Sequence, residues 1–234
     1  MGAVAALVVA CGTDGGPSTP STSSTPPPTA QPVDPANCTE KPPQGDIDRS
    51  GQGFLFQDGS IDIAVTRPSD TSGRGPGAGV TPTDATTCYE FERWGPAQPD
   101  VPPDSLLFVF KDAGAGGAQI EFLISELTGG LLPPVGGARP TVGPLTKPVN
   151  AQIGVSVDGV YHHSSTCQLS VTAMSDQLAA GSFSCPTATR VDANPLAPDD
   201  DVSYDIDESS TKKPAPTSGP TAGVSLSGWF ELRP

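Results

Sequence analysis

CQLSVTAMSDQLAAGSFSC, residues 167–185, begins and ends in cysteine and carries apolar residues at alternate positions between them. Folded back so that Cys167 faces Cys185, the stretch sets Leu169 opposite Phe183, Val171 opposite Gly181 and Ala173 opposite Ala179. All of these are apolar or small. The intervening Gln168, Ser170 and Thr172 on one arm, with Ser182 and Ser184 on the other, are polar. That alternation belongs to a half-buried antiparallel pair. The same register sets the two sulfurs face to face, and Cα separations of about 4.5–5.5 Å between facing strands suit a disulfide. A zinc ribbon or a thioredoxin-like site needs CxxC pairs or suitably spaced histidines, and the chain contains no CxxC. The stretch therefore reads as a stapled hairpin, whose bridge contributes on the order of 3 kcal/mol by restricting the unfolded chain.

Disulfides persist in oxidising compartments, so a stapled hairpin implies export. Cys11, Cys38, Cys88, Cys167 and Cys185 make five cysteines, which leaves one over. The odd one is Cys11, which follows MGAVAALVVA, an apolar run too short to span a bilayer and ending in small residues, as a cleaved leader does. Val8-Val9-Ala10-Cys11 resembles the lipobox of bacterial membrane lipoproteins. The resemblance implies that residues 1–10 are a signal peptide, that Cys11 takes a diacylglycerol thioether, and that its new amino terminus is acylated, palmitate being the usual chain. No Lys or Arg precedes Cys11, a departure from the pattern that places the expected start of the leader further upstream. Gly12, where Asp would signal retention, matches the pattern for sorting to an outer membrane if the source has one.

Residues 11–36 are mostly Gly, Ser, Thr and Pro with almost no apolar residue, a composition that cannot bury enough surface to fold. They read as a disordered, lipidated tether, long enough at about 3.1 Å per residue to hold a domain several tens of ångströms from a membrane. With Cys11 lipidated, four cysteines allow three pairings. The hairpin selects Cys167–Cys185 and leaves Cys38–Cys88, which would tie the start of the folded domain to a strand.

Residues 37–234 are expected to form one all-β domain. SIDIAVTR alternates Ile61, Ile63 and Val65; CYEFERW alternates Tyr89 and Phe91; AQIEFLISE alternates Ile120, Phe122 and Ile124; VSLSGWFEL alternates Val224, Leu226, Phe230 and Leu232. Each has one wet face. LLFVF, residues 106–110, is apolar on both faces and is expected at the centre of a sheet. Asp158-Gly159 between apolar runs marks a second tight hairpin. With 28 prolines and 27 glycines, long helices are excluded. The expected architecture is an antiparallel β-sandwich, with an open β-barrel as the alternative. Long loops are expected at residues 68–86, 127–150 and 186–222. The terminal arrangement, a cysteine-bounded hairpin ending in GSFSC and then a closing VSLSGWFEL strand, is similar to small β-sheet lipoproteins of bacterial envelopes, many of them uncharacterised. That resemblance implies a tethered β-domain and brings no catalytic residues with it.

Reactive constellations are sparse. The acidic run DDDVSYDIDE offers Asp199, Asp200, Asp201, Asp205, Asp207 and Glu208 as oxygen ligands, but lacks the alternate acids, central Gly and closing Glu of an EF-hand loop, so a solvated acidic loop is the plainer reading. His162 and His163 are the only histidines, and adjacent strand residues point to opposite faces, which prevents both from holding one ion. No GxSxG occurs, and the glycine-rich DAGAGGA and VGGARP lack the GK[ST] of a phosphate loop. Trp94, Trp229 and Tyr161 are candidates for an aromatic ligand platform. The net charge of −14 argues against nucleic acid as a partner. The expected function is non-catalytic, with no cofactor: a β-domain anchored in the membrane by lipid, displayed for binding an envelope protein or coating a surface. The alternative is a carrier of a lipid or small apolar ligand inside the β-domain. An enzyme of unknown class, with His162 or His163 as its base unless carboxylates alone do the work, comes third.

Overall fold

The computed structural model describes residues 30–50, 53–68, 84–97, 102, 104–128, 145–196 and 223–234. The leader, Cys11, most of the tether and the acidic candidates Asp199, Asp200, Asp201, Asp205, Asp207 and Glu208 lie outside the described residues.

Among the described residues the strands are β1 (Pro32–Val33), β2 (Asp58–Arg67), β3 (Ala85–Trp94), β4 (Ser105–Lys111), β5 (Gly117–Leu123), β6 (Val149–Val157), β7 (Val160–Met174), β8 (Ala179–Val191) and β9 (Val224–Arg233), with one short α-helix, α1 (Ile124–Thr128). All pairings between strands are antiparallel, and the sheet runs β3-β2-β9-β8-β7-β6-β5-β4 before β4 returns to β3. Eight strands thus close into a barrel. The all-β expectation holds, but the sandwich does not form; the barrel alternative does, closed where an open one was expected. Period-two alternation is common to both architectures. What separates them here is curvature: register shifts between Ala151 and Ile153, Val171 and Ala173, and Cys185 and Ala188 bend the long strands β6 to β9, and such bulges curl a sheet toward closure.

The opening hairpin is β7–β8. Leu169 pairs with Phe183 and Val171 with Gly181, as the sequence requires, and Cys167–Cys185 is bridged with Cα atoms 4.3 Å apart. Beyond Val171 the bulge slips the register, so Ala173 faces Ala180 and Met174 faces Ala179. Asp158 and Gly159 adopt φ of 54° and 72° between β6 and β7, the mirror-image turn that matches strand twist. LLFVF is not central. Its strand β4 pairs fully with β5 but meets β3 through only Val109, Phe110 and Lys111, so it forms the closing seam.

The barrel is apolar inside and polar outside. Ile61, Ile63, Phe91, Phe110, Ile120, Ile153, Leu169 and Phe230 are buried in one cluster, while Glu90, Glu92, Gln152, Ser170 and Ser184 take the alternate positions. This is the reverse of a lipid-facing barrel. Rings fill the bore: Phe108 contacts Phe56, Phe122 and Phe230 at centroid distances of 6.0, 6.1 and 6.1 Å. At Gly228 (φ 156°), inward on β9, an added Cβ would lie 1.9 Å from the Asp62 carbonyl oxygen, which is why that position carries no side chain.

Residues 30–50 and 53–57 form a strap around the outside and one end. The domain therefore starts earlier than residue 37. Ala30 is buried, and Pro32 and Val33 pair with Tyr89 and Cys88 along the part of β3 that β4 does not reach. One 3-10 turn, Asn37–Thr39, brings Cys38 to Cys88, with Cα atoms 6.0 Å apart. Trp229 Nε1 donates to the Asn37 carbonyl at 2.8 Å, and Thr172 Oγ1 to the Pro43 carbonyl at 2.6 Å. Ile47 then bridges Met174, and Phe54 and Phe56 turn inward to plug the barrel end. The expected loops are also shorter at their margins, since β3 begins at Ala85, β6 at Val149, and β8 continues to Val191 with Leu196 buried beyond it.

The two bridges close loops of different size, with sequence separations of 18 and 50. Replacing Cys167 and Cys185 by Ala is expected to cost about 3 kcal/mol and replacing Cys38 and Cys88 about 4 kcal/mol, by the loop-entropy relation. Urea unfolding of the three proteins measures this; an unchanged midpoint without Cys38–Cys88 would show that the bridge does not hold the strap.

Candidate functional site

The two histidines fall on opposite faces of β7. His162 pairs with Val155 and Arg190 and shares the inward-facing series of Val160 and Ser164, whereas His163 pairs with Gly154 and Thr189 on the outside. Burial, then Arg67 and Arg190, hold the His162 imidazole below the ordinary histidine range. Burial lowers His163 as well, opposed by Glu121. They cannot serve one ion, and among the described residues no three His, Cys, Asp or Glu side chains gather as metal ligands do.

The aromatic platform is dispersed. Trp229 is spent on the strap through its hydrogen bond to Asn37. Tyr161 lies flat over Gly154 on the outer face, close enough that a Cβ there would meet its hydroxyl at 2.0 Å, and burial pushes its phenol far up. Trp94 alone of the three is exposed, at 55%. It stands in a groove of about 660 Å³ at the β3–β4 seam, with Glu90, Glu92, Lys111, Asp112, Gln31 and Val33. The Lys111 ammonium sits 4.6 Å from the Trp94 ring centroid, and Lys111 faces Glu92 in register. Arg93 locks the seam behind it, donating to the carbonyls of Trp94, Val109 (3.0 Å) and Pro96 (2.6 Å). An indole face beside charges of both signs suits contact with a polar ligand or partner side chain. It holds no nucleophile–base pair.

A third feature was not legible in the sequence. Asp62 projects outward from β2 yet is only 4% exposed, because strap and neighbouring strands cover it, and its Oδ1 has no hydrogen-bond partner. It pairs in register with Glu90 and Trp229. Burial first, then the charges of Glu90 and Glu40, push its carboxyl up to about 6. In SIDIAVTR it reads as an ordinary wet-face residue; only the return of the strap, with Glu40, over the sheet buries it.

No protein-family model, curated protein or solved structure matches the chain.

Asp62 sets a pH dependence whose sign follows from its raised carboxyl. The folded state holds that proton more tightly than the unfolded chain, so the group's stabilising contribution is complete below about pH 4 and is lost as pH rises through about 6. His162 acts oppositely: its lowered imidazole favours the unfolded chain as pH falls below about 6.5. Asp62→Asn isolates the first effect. Discounted for solvent screening, the variant is expected to exceed the wild type by about 1–2 kcal/mol at pH 7.5, with the gap narrowing by pH 5. Urea unfolding at the two pH values measures it, and a gap independent of pH would contradict the assignment.

Proposed function

We propose that this chain is a non-catalytic, envelope-anchored lipoprotein whose disulfide-stapled barrel is displayed on a tether for binding. The observation that carries the reading is the way the chain enters the barrel. The Pro- and Ser/Thr-rich tether runs into a strap that pairs with β3 and is bonded to it through Cys38–Cys88. A domain held to a membrane by its N-terminal segment bears any pull on it at that point, and a covalent bond there transfers load from the tether to the sheet. Two disulfides accord with an oxidising compartment. Export, lipid at Cys11 and the envelope address rest on the lipobox resemblance of Val8-Val9-Ala10-Cys11. The seam groove around Trp94 is the surface best suited to an envelope protein or polar ligand.

The carrier reading is less favoured because it requires space in the bore, where Phe56, Phe108, Phe122 and Phe230 meet ring to ring. Catalysis is less favoured because His162 and His163 face apart.

The chain expressed with its native leader in a bacterial host is expected to fractionate with membranes. Its intact mass is expected to show loss of residues 1–10 and a diacylglyceryl adduct on Cys11. Cys11→Ser should abolish both the adduct and the membrane fractionation. An unmodified Cys11 on a soluble wild-type protein would contradict the anchor.

A further inference from the structure

One rim of the barrel gathers cations in a chain that is otherwise strongly acidic. The inward-facing series Ile61, Ile63, Val65 of β2 ends at Arg67, and the series Phe183, Cys185, Ala188 of β8 ends at Arg190. Both therefore emerge at the mouth on the bore side. His162 stands opposite Arg190 in register and is 7% exposed, with its Nδ1 buried and without a hydrogen-bond partner. Arg67 reaches across the opening to Asp158 in the β6–β7 turn, Nη2 to Oδ2 3.4 Å. Since β2 and β6 are four strands apart in an eight-stranded barrel, that contact spans the bore above His162. Beneath lie Val65, Ala188 and Val224, with Val155 level with His162 and Val157 nearer the mouth, all buried.

We propose that this rim is a binding site for an oxyanion, the phosphate or carboxylate group of a small molecule, held by Arg67 and Arg190 above His162. Each guanidinium presently faces one exposed carboxylate, Asp158 at 3.4 Å and Asp192 at 3.8 Å, with carboxylate side chains 51% and 96% exposed. Exposed pairs of this kind hold weakly, and a tetrahedral or planar oxyanion accepting from both planar forks makes stronger charge-assisted bonds. The buried imidazole supplies a further donor. The apolar floor beneath is closed, so the site selects the charged group and leaves no path for an acyl chain down the bore.

Binding is coupled to protons. Among the described residues, the charged groups facing His162 are Arg67 from β2 with Asp158 from the turn, and Arg190 from β8 with Asp192 beside it, while β6 and β9 present Val155 and Val224. The two arginines disfavour the imidazolium. An oxyanion between them reverses that field, so occupancy and protonation of His162 favour each other and binding tightens as pH falls. The site is independent of the tether.

The test is an NMR titration of the full chain with inorganic phosphate and, separately, succinate, at ionic strength held constant with chloride. The expected result is a saturable shift of the His162 imidazole resonances and a higher titration midpoint for His162 with ligand, while His163 on the outer face does not respond. Arg67→Gln and Arg190→Gln are each expected to weaken binding about tenfold, with Arg67→Lys intermediate, and Asp158→Asn to strengthen it. Circular dichroism confirms that each variant is folded, and the partial exposure of both arginines makes their replacement tolerable. Saturation by one anion but not the other assigns the group recognised. Non-saturating shifts common to both histidines, or variants that bind as the wild type does, would overturn the proposal.

Discussion

Everything in this structure depends on β3 finding β4. The seam comprises three residue pairs, Glu92–Lys111, Arg93–Phe110 and Trp94–Val109, too few to hold a closed sheet by ladder hydrogen bonds alone. Two further interactions secure it. Inside, the Phe108 ring on β4 reaches Phe230 on β9 across the bore and Phe56 from the plug, so opening the seam would expose aromatic surface on several elements at once. Along the seam, the Arg93 guanidinium ties the end of β3 to the Val109 carbonyl of β4. The stretch of β3 that β4 does not reach is occupied by β1. Closure therefore shortens the exposed strand edges that would otherwise invite association.

The strap fixes where the N-terminal segment meets this closed sheet. Its Pro32–Val33 pairing would be marginal on its own, since two residues bring little ladder energy, and Cys38–Cys88 keeps the segment close by covalent restraint. The same coverage carries an electrostatic cost, the buried Asp62 between Glu90 and Glu40. Fastening the N-terminal segment to β3 and burying a carboxylate are consequences of one geometry.

The sequence made local facts legible and left long-range ones hidden. The β7–β8 register could be read from Cys167 to Val171 because alternation and bridge geometry agree there. It failed at Ala173, where Thr172 is drawn to Pro43 and Gly45 of the strap, a partner more than a hundred residues away. The two-faced apolarity of LLFVF suggested a central strand, but its strand meets β3 only from Val109 onward, where Val109 pairs with Trp94 at the seam. Sandwich and barrel share one alternation, and of the bulges that separate them only the one at Pro186 carries a compositional mark, while those beside Gln152 and Thr172 carry none. Val33 sits in a stretch whose Pro and Thr content reads as tether, so its pairing could not be anticipated. For the candidate sites, the opposite facing of His162 and His163 followed from strand parity, whereas the convergence of Arg67 and Arg190 on His162 requires knowing that β2 and β8 end at one rim.

The closure of the sheet is most directly tested by nuclear Overhauser contacts across the seam in the oxidised full chain. A closed barrel predicts backbone contacts between Arg93 and Phe110 and between Glu92 and Lys111, with slowed amide exchange on β4 comparable to that on β5. A sheet that lacks these contacts, with rapidly exchanging amides at Val109, Phe110 and Lys111 while β7 and β8 stay protected, would mean that β4 is a free edge and that the barrel account is wrong.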